Sequence, residues 1–405
     1  MSDTPEKSPM FTAPRPFGGV TFHRHTLRNI SWLELYYDLI YVATFIQIGN
    51  FLSKHVDLNG FTEFLIMLTA VWWAWSGTTF FQNRFVADDW QHRLLVFLQI
   101  FGVAALGISV SDAFGDLYIQ FTVAYVLTRV LLVIMYLRMA RLDPPSASLS
   151  NDYAIAFGVG GALWLASLLL PLGYHWVGWI AAIVVELVIP IVPRMAAHQQ
   201  LAPIDPHHLE ERFGIFTIIV LGEAFVKVLD DAQGTVLGPD QFIFSVFGLV
   251  VTFALWWLYF TDTVDHGVDF KQAWRAPVWF YGHLPLAAGL VTFGVAAKKF
   301  YAATLEHPGE ALHPEYRLLY TAGLLLYLVA LVLIDMGTHN PNPQSDRIQL
   351  VTRLVSIALV AGFGLFATEF DAIQLVIAFA LIFAAQVGVS VWLHLPGNYI
   401  AAHRD

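Results

Sequence analysis

Nearly uncharged apolar runs, each about as long as one membrane crossing, recur from residue 30 to residue 392. Wound as a helix at ~1.5 Å per residue, such a run spans the ~30 Å hydrocarbon layer of a bilayer. Inside that layer every backbone N–H and C=O must be bonded within the protein, which leaves only α-helices or a closed barrel. Continuous apolar runs, rather than alternating ones, select helices. Composition agrees, with 57% hydrophobic and only 13% charged residues, against about 25% charged in soluble domains. The expected fold is therefore all-α, a polytopic integral membrane protein.

About twelve spans can be drawn: 30–52, 61–81, 94–110, 117–137, 153–171 and 176–192, then 211–229, 240–260, 277–297, 316–336, 350–367 and 373–392. Residues 1–29 read as a retained cytoplasmic tail, 193–209 as a Pro-, His- and Gln-rich cytoplasmic linker, and 396–405 as a second tail. Of 21 Lys and Arg residues, 15 fall on one side of this arrangement and 5 on the other, with Arg129 inside a span. The positive-inside rule then sets both termini in the cytoplasm. Trp72-Trp73-Ala74-Trp75 recurs as Trp256-Trp257-Leu258-Tyr259, and Phe101–Ala105 as Phe293–Ala297. These echoes predict two parallel six-helix repeats, 30–192 and 210–395, as in several transporter folds. Chance pairs in a tryptophan-rich chain are the competing explanation.

The stretch 211–229 organises the chain. Glu211 and Arg212 stand at its head, and Glu223 sits ~18 Å further along by helical rise. A carboxylate at that depth needs a partner or a proton, and Lys227 one turn on is the expected partner. Gly214 and Gly222 would admit a neighbouring helix. In the first span Glu34 and Asp38 lie one turn apart on a face shared with Tyr41, so their mutual repulsion favours a proton on one of them. The alternative is that Glu34 bonds Arg28 or Arg212 in a structural network.

Glu34-Leu-Tyr-Tyr-Asp38-Leu-Ile-Tyr-Val resembles the Glu-Leu-Phe-Phe-Asp-Leu-Val-Phe-Val signature of the bacterial low temperature requirement protein A (LtrA) family. The stretch from Glu211 to Glu223, with His208 ahead of it, is similar to that family's second signature. Asp89, His92-Arg93 and Gly282-His283 extend the resemblance over most of the chain. Tyr36, Tyr37 and Tyr41 stand where the signature has phenylalanine, and Ala224 stands where serine is expected. The resemblance implies a fold and a bacterial inner-membrane location and little mechanism.

Other polar candidates are Glu186 beside the kink-forming Pro190, Gln47 as the repeat counterpart of Glu223, and His92 and His283 at the starts of the third and ninth spans. Asp262, Asp265 and His266 read as solvated, and the tryptophans mainly as an interfacial belt, with a wall of Trp72, Trp73, Trp256 and Trp257 around an apolar or cationic substrate as the alternative. His207-His208 has poor geometry for a metal. No nucleophile elbow, phosphate loop or zinc motif is present, no cofactor is implied, and no basic tract suggests nucleic acid. Without cysteine the chain has no thiol chemistry. The expected function is non-enzymatic: a secondary transporter with an acidic, proton-coupled site between the first and seventh spans. Its partners are the lipid bilayer and a small-molecule or ion substrate, and a homo-oligomer is compatible with this reading. A cation-selective channel is the alternative, and a lipid-modifying enzyme or an envelope sensor are lesser ones.

Overall fold

A computed structural model describes residues 30–87, 89–171, 173–232, 238–262, 267–270, 272–338 and 343–395. Among them run thirteen α-helices: α1 (Trp32–Lys54), α2 (Leu58–Arg84), α3 (Trp90–Ser109), α4 (Tyr118–Leu142), α5 (Ala147–Ser167), α6 (His175–Val188), α7 (Pro193–His198), α8 (Pro206–Ala232), α9 (Pro239–Phe260), α10 (Arg275–Glu306), α11 (Pro314–Gly337), α12 (Pro343–Phe366) and α13 (Ala372–Leu393). The one β feature among these residues is an isolated bridge between Val268 and Thr338.

The helix starts follow local chemistry. Five helices (α7, α8, α9, α11, α12) open on proline, whose missing N–H is harmless in a first turn. Ser31 caps α1, its backbone N–H donating to Glu34 Oε2 at 2.8 Å and Glu34 N–H donating to Ser31 Oγ at 3.3 Å. This is the reciprocal capping box of Ser-x-x-Glu. Asp371 and Gln374 build the same box at α13.

Eight of these helices are long and apolar enough to cross a membrane, or nine if the bent pair 175–188 and 193–201 forms one span. The twelve spans drawn from the sequence are more than this set holds. Both α1 and α8 carry several charges, α5 holds the polar run Ser150-Asn151-Asp152 near its start, and α6 alone, with 14 residues, is too short to cross. Residues 193–209 are also not a plain linker. They hold α7, a 3-10 turn over Gln199–Leu201 and the start of α8 at Pro206, capped by the Asp205 carboxylate accepting from the His208 N–H at 3.2 Å.

The chain divides into two compact units. The first holds 30–40, Trp73–Leu106 and Tyr118–Arg212; the second holds Tyr41–Trp72, Gly107–Leu117 and the described residues from Phe213 onward. In the first unit α4 packs on α5 and α5 on α6. Arg129 of α4 pairs there with Glu186 of α6 at 2.8 Å, and Tyr125 O–H donates to Glu186 at 2.9 Å. In the second unit α10 and α11 pack closely along their length. A Cβ on Gly289 would stand 2.7 Å from the Tyr327 backbone nitrogen, and one on Gly323 2.7 Å from that of Phe293. Lipid tails are as apolar as leucine, so such backbone approach and polar pairs, rather than water exclusion, hold these helices together.

Gly222 departs from expectation: it is exposed, and nothing lies within 4 Å of where its Cβ would be. The close approach on α8 falls at Ala224, 2.7 Å from the Cβ position of Gly294. Trp72, Trp73 and Trp75 are buried, whereas Trp32, Trp90 and Trp392, near helix ends, are exposed. The matched motifs also meet different surroundings, since Phe101 is exposed and Phe293 buried. Asp262 is buried, not solvated. It accepts from Ser390 Oγ, which in turn accepts from Trp257 Nε1 at 3.0 Å. Asp265 and His266 lie outside the described residues.

Candidate functional site

In the first unit, α1, α2 and α8 bring polar side chains from three helix faces to one point. Glu34 and Asp38 are one turn apart on α1, and His208 and Arg212 one turn apart on α8. Trp75, Thr79, Gln82 and Asn83 recur along one side of α2 at helical spacing.

Arg212 is the centre, with no exposed surface. Its Nε donates to Asp38 Oδ2 at 2.9 Å and its Nη2 to Asp38 Oδ1 at 2.6 Å, a two-pronged pair. Nη1 donates to Gln82 Oε1 at 3.0 Å and faces Glu34 Oε1 at 3.2 Å, while Nη2 also reaches Thr79 Oγ1 at 3.4 Å. Trp75 Nε1 donates to Asp38 Oδ1 at 2.7 Å. All three guanidinium nitrogens are thus engaged, in a planar fork that lysine cannot reproduce. Glu34 works in two directions: Oε2 accepts from Ser31 N–H and, at 2.7 Å, from Ser31 Oγ, while Oε1 faces Arg212 and, at 3.4 Å, His208 Nε2.

Of the other sequence candidates, Tyr41 is buried on α1. Gln47 and Glu211 are exposed. Arg212 therefore pairs not with its neighbour Glu211 but with the acids of α1, because adjacent helical residues do not face each other. His92 is buried near the start of α3, its N–H donating to Asp89 Oδ1 at 2.9 Å and its ring near Phe81. Asp89 also accepts from Arg138. Burial opposes the charge on Asp89, but the His92 N–H and the Arg138 guanidinium outweigh it and hold its carboxyl below the usual carboxylate range.

Glu186 sits in the separate Arg129 pair described above. Glu223 is half-buried and lines a small void with Val42, Phe45, Ile46, Val220, Ala224 and Val291. The side chain of Lys227 lies outside the described residues, so the Glu223–Lys227 pair does too. His283 lies well inside α10, not at a helix start, because α10 begins at Arg275. Its Nδ1–H donates to the Trp279 carbonyl at 2.8 Å, leaving Nε2 to accept from Tyr259 O–H at 3.0 Å. Among the described residues no group of three His, Asp or Glu side chains is arranged to hold a metal.

Fold and site together define a multi-pass helical membrane protein built around a buried arginine that serves two carboxylates. Residues 29–391 match the family of the bacterial low temperature requirement A protein (LtrA), and the chain belongs to that family. An uncharacterised protein of Rhizobium meliloti (strain 1021) is 25% identical over 398 residues, covering 94% of this chain and 93% of the relative.

Proposed function

We propose that this LtrA-family protein is a non-enzymatic secondary transporter of the bacterial inner membrane. Both termini are cytoplasmic in this reading, and the helices form two parallel repeats. Glu34, Asp38 and Arg212 form its acidic, proton-coupled site, and Glu223 is a second acid proposed separately from it. The observation that carries the reading is the complete shell around Arg212. A buried ion pair is weak evidence for stability, since taking each ion out of water costs several kcal/mol. Ionisable residues at membrane depth are functional by default. Because one guanidinium serves both acids, a proton arriving on either carboxylate loosens part of the shell. A charged solute can then compete for what is released, which is how proton and solute movements become linked.

The test is uptake by the purified protein in proteoliposomes under an imposed pH gradient, screened over charged solutes, with Asp38→Asn as control. Gradient-driven accumulation that Asp38→Asn abolishes supports the reading. Ohmic currents without accumulation point to a channel, and full uptake by Asp38→Asn removes the site.

A further inference from the structure

The end of α2 holds a side chain whose orientation is dictated by backbone rather than by other side chains. Asn83 Oδ1 accepts from the Asp205 N–H at 2.9 Å, and Asn83 Nδ2 donates to the Asp205 carbonyl at 2.9 Å. A backbone N–H can only donate and a carbonyl can only accept, so the amide cannot be turned over. The same Nδ2 lies 3.2 Å from His208 Nδ1. That ring nitrogen therefore faces an N–H donor and must accept, which puts the imidazole proton of the neutral ring on Nε2. His208 has no exposed surface, and its Nε2 stands 3.4 Å from Glu34 Oε1, too poorly aligned to make a formed hydrogen bond. It is a buried donor that lies beside Glu34 without a formed bond to it.

We infer that Asn83 and His208 are positioning residues of the acid site: Asn83 locks His208 as its Nε2–H tautomer, so that His208 donates toward Glu34 and does not accept from it. The inference rests on the proposed role of Glu34. A carboxylic acid at Glu34 finds no acceptor on Nε2, so a proton there has no route through His208 toward residues 199–205. His208 insulates the site on that side instead of relaying. The charged and titratable groups facing the pair are Asp38 and Glu34 on α1, Arg212 on α8 and Asp205 at the α8 cap. The α2 side presents neutral Asn83 and Gln82. The lock predicts one tautomer where a lone buried imidazole would show both, because a second hydrogen bond selects which ring nitrogen holds the proton.

The experiment is nitrogen-15 NMR of the full-length protein in lipid nanodiscs, with labelled histidine and His208→Gln used to assign the signal. It is run at alkaline pH, where imidazoles are neutral. The expected wild-type result is a pyridine-like Nδ1 and a pyrrole-like Nε2 at His208. Asn83→Ala should convert this into a mixture of tautomers, and Asn83→Asp should invert it, since a carboxylate accepts from Nδ1–H. A pyrrole-like Nδ1 in the wild type overturns the inference whatever the variants do. So does an unchanged spectrum in Asn83→Ala. The readout is independent of transport: a correct tautomer with no uptake of any solute would sink the transporter reading alone.

Discussion

The Asp38–Arg212 pair allows a double-mutant cycle whose size follows from the contacts. Asp38→Asn removes the charge but leaves one oxygen for Arg212 Nη2 or Trp75 Nε1. It forfeits the second prong and strands a guanidinium that Glu34, at 3.2 Å, can only partly serve. Removing one partner of a buried pair costs about 3–5 kcal/mol, and the remaining carboxylate pulls the expectation toward ~3 kcal/mol on that scale. Arg212→Met strands two carboxylates and should cost at least as much. In the double variant Glu34 is the one carboxylate that loses Arg212, and it keeps both bonds from Ser31, while Gln82 and Thr79 lose only neutral contacts to the guanidinium. The double variant should therefore be more stable than Arg212→Met alone, which makes the coupling at least the cost of Asp38→Asn, about 3 kcal/mol, at the top of the range for residues in contact. Reversible unfolding in mixed detergent micelles measures this, followed by the loss of helical circular dichroism. Costs that add to within about 0.5 kcal/mol would refute the claim that Arg212 is held chiefly by Asp38.

Other outcomes follow from other parts of the chain. Because the Asp89 carboxyl is held below its usual range, its contribution is complete above its ordinary value of about 3.9 and is lost as pH falls through the lower folded value. Wild type should therefore exceed Asp89→Asn by about 1 kcal/mol at pH 6, with the gap closing toward pH 3 in thermal melts; a gap constant with pH contradicts this. Gly289→Ala drives a methyl into the α11 backbone and should cost about 1–3 kcal/mol, whereas Gly222→Ala should stay within about 0.5 kcal/mol; equal melting temperatures would show that α10 and α11 are not in backbone contact. Glu223→Gln should fold nearly as wild type and lose gradient-driven uptake, and retained uptake excludes Glu223 from coupling. Reporters fused after Asp405 or within 193–209 should both read cytoplasmic, and a periplasmic signal from either ends the parallel-repeat reading.

The helical class is legible from the apolar runs alone, since a bilayer admits so few backbones. The facing of Glu34 and Asp38 is legible too, because one turn apart is one face. The partner of that face is harder to read. Arg212 stands next to Glu211 in sequence, yet the helix turns them apart; a Glu34–Arg212 bond is among the sequence alternatives, and the fold adds that the two-pronged partner is Asp38. Thr79, Gln82 and Asn83 are ordinary polar residues taken singly; their signal is recurrence along one side of an otherwise apolar helix. Two start signals stand in the sequence in plain form, Ser31-x-x-Glu34 and Asp205-Pro206. The second puts the head of α8 five residues ahead of the 211 boundary, at Pro206, which is what brings His208 into the helix. Arg129 and Glu186 are each visible as charges inside apolar stretches, but their pairing depends on how α4 and α6 pack around α5.

The strap at the end of α2 limits how the first unit can move. Arg84 holds Ala202 and Gln199, Asn83 holds Asp205 on both sides of its backbone, and α8 begins at the next residue. Chain that would otherwise act as a slack hinge is thereby fastened to the rod beside it. The head of α8 and the tail of α2 then share their degrees of freedom, and a tilt of one is transmitted to the other without play. Any rearrangement that parts Arg212 from α1 must either carry the end of α2 along or first break the four contacts that tie it down.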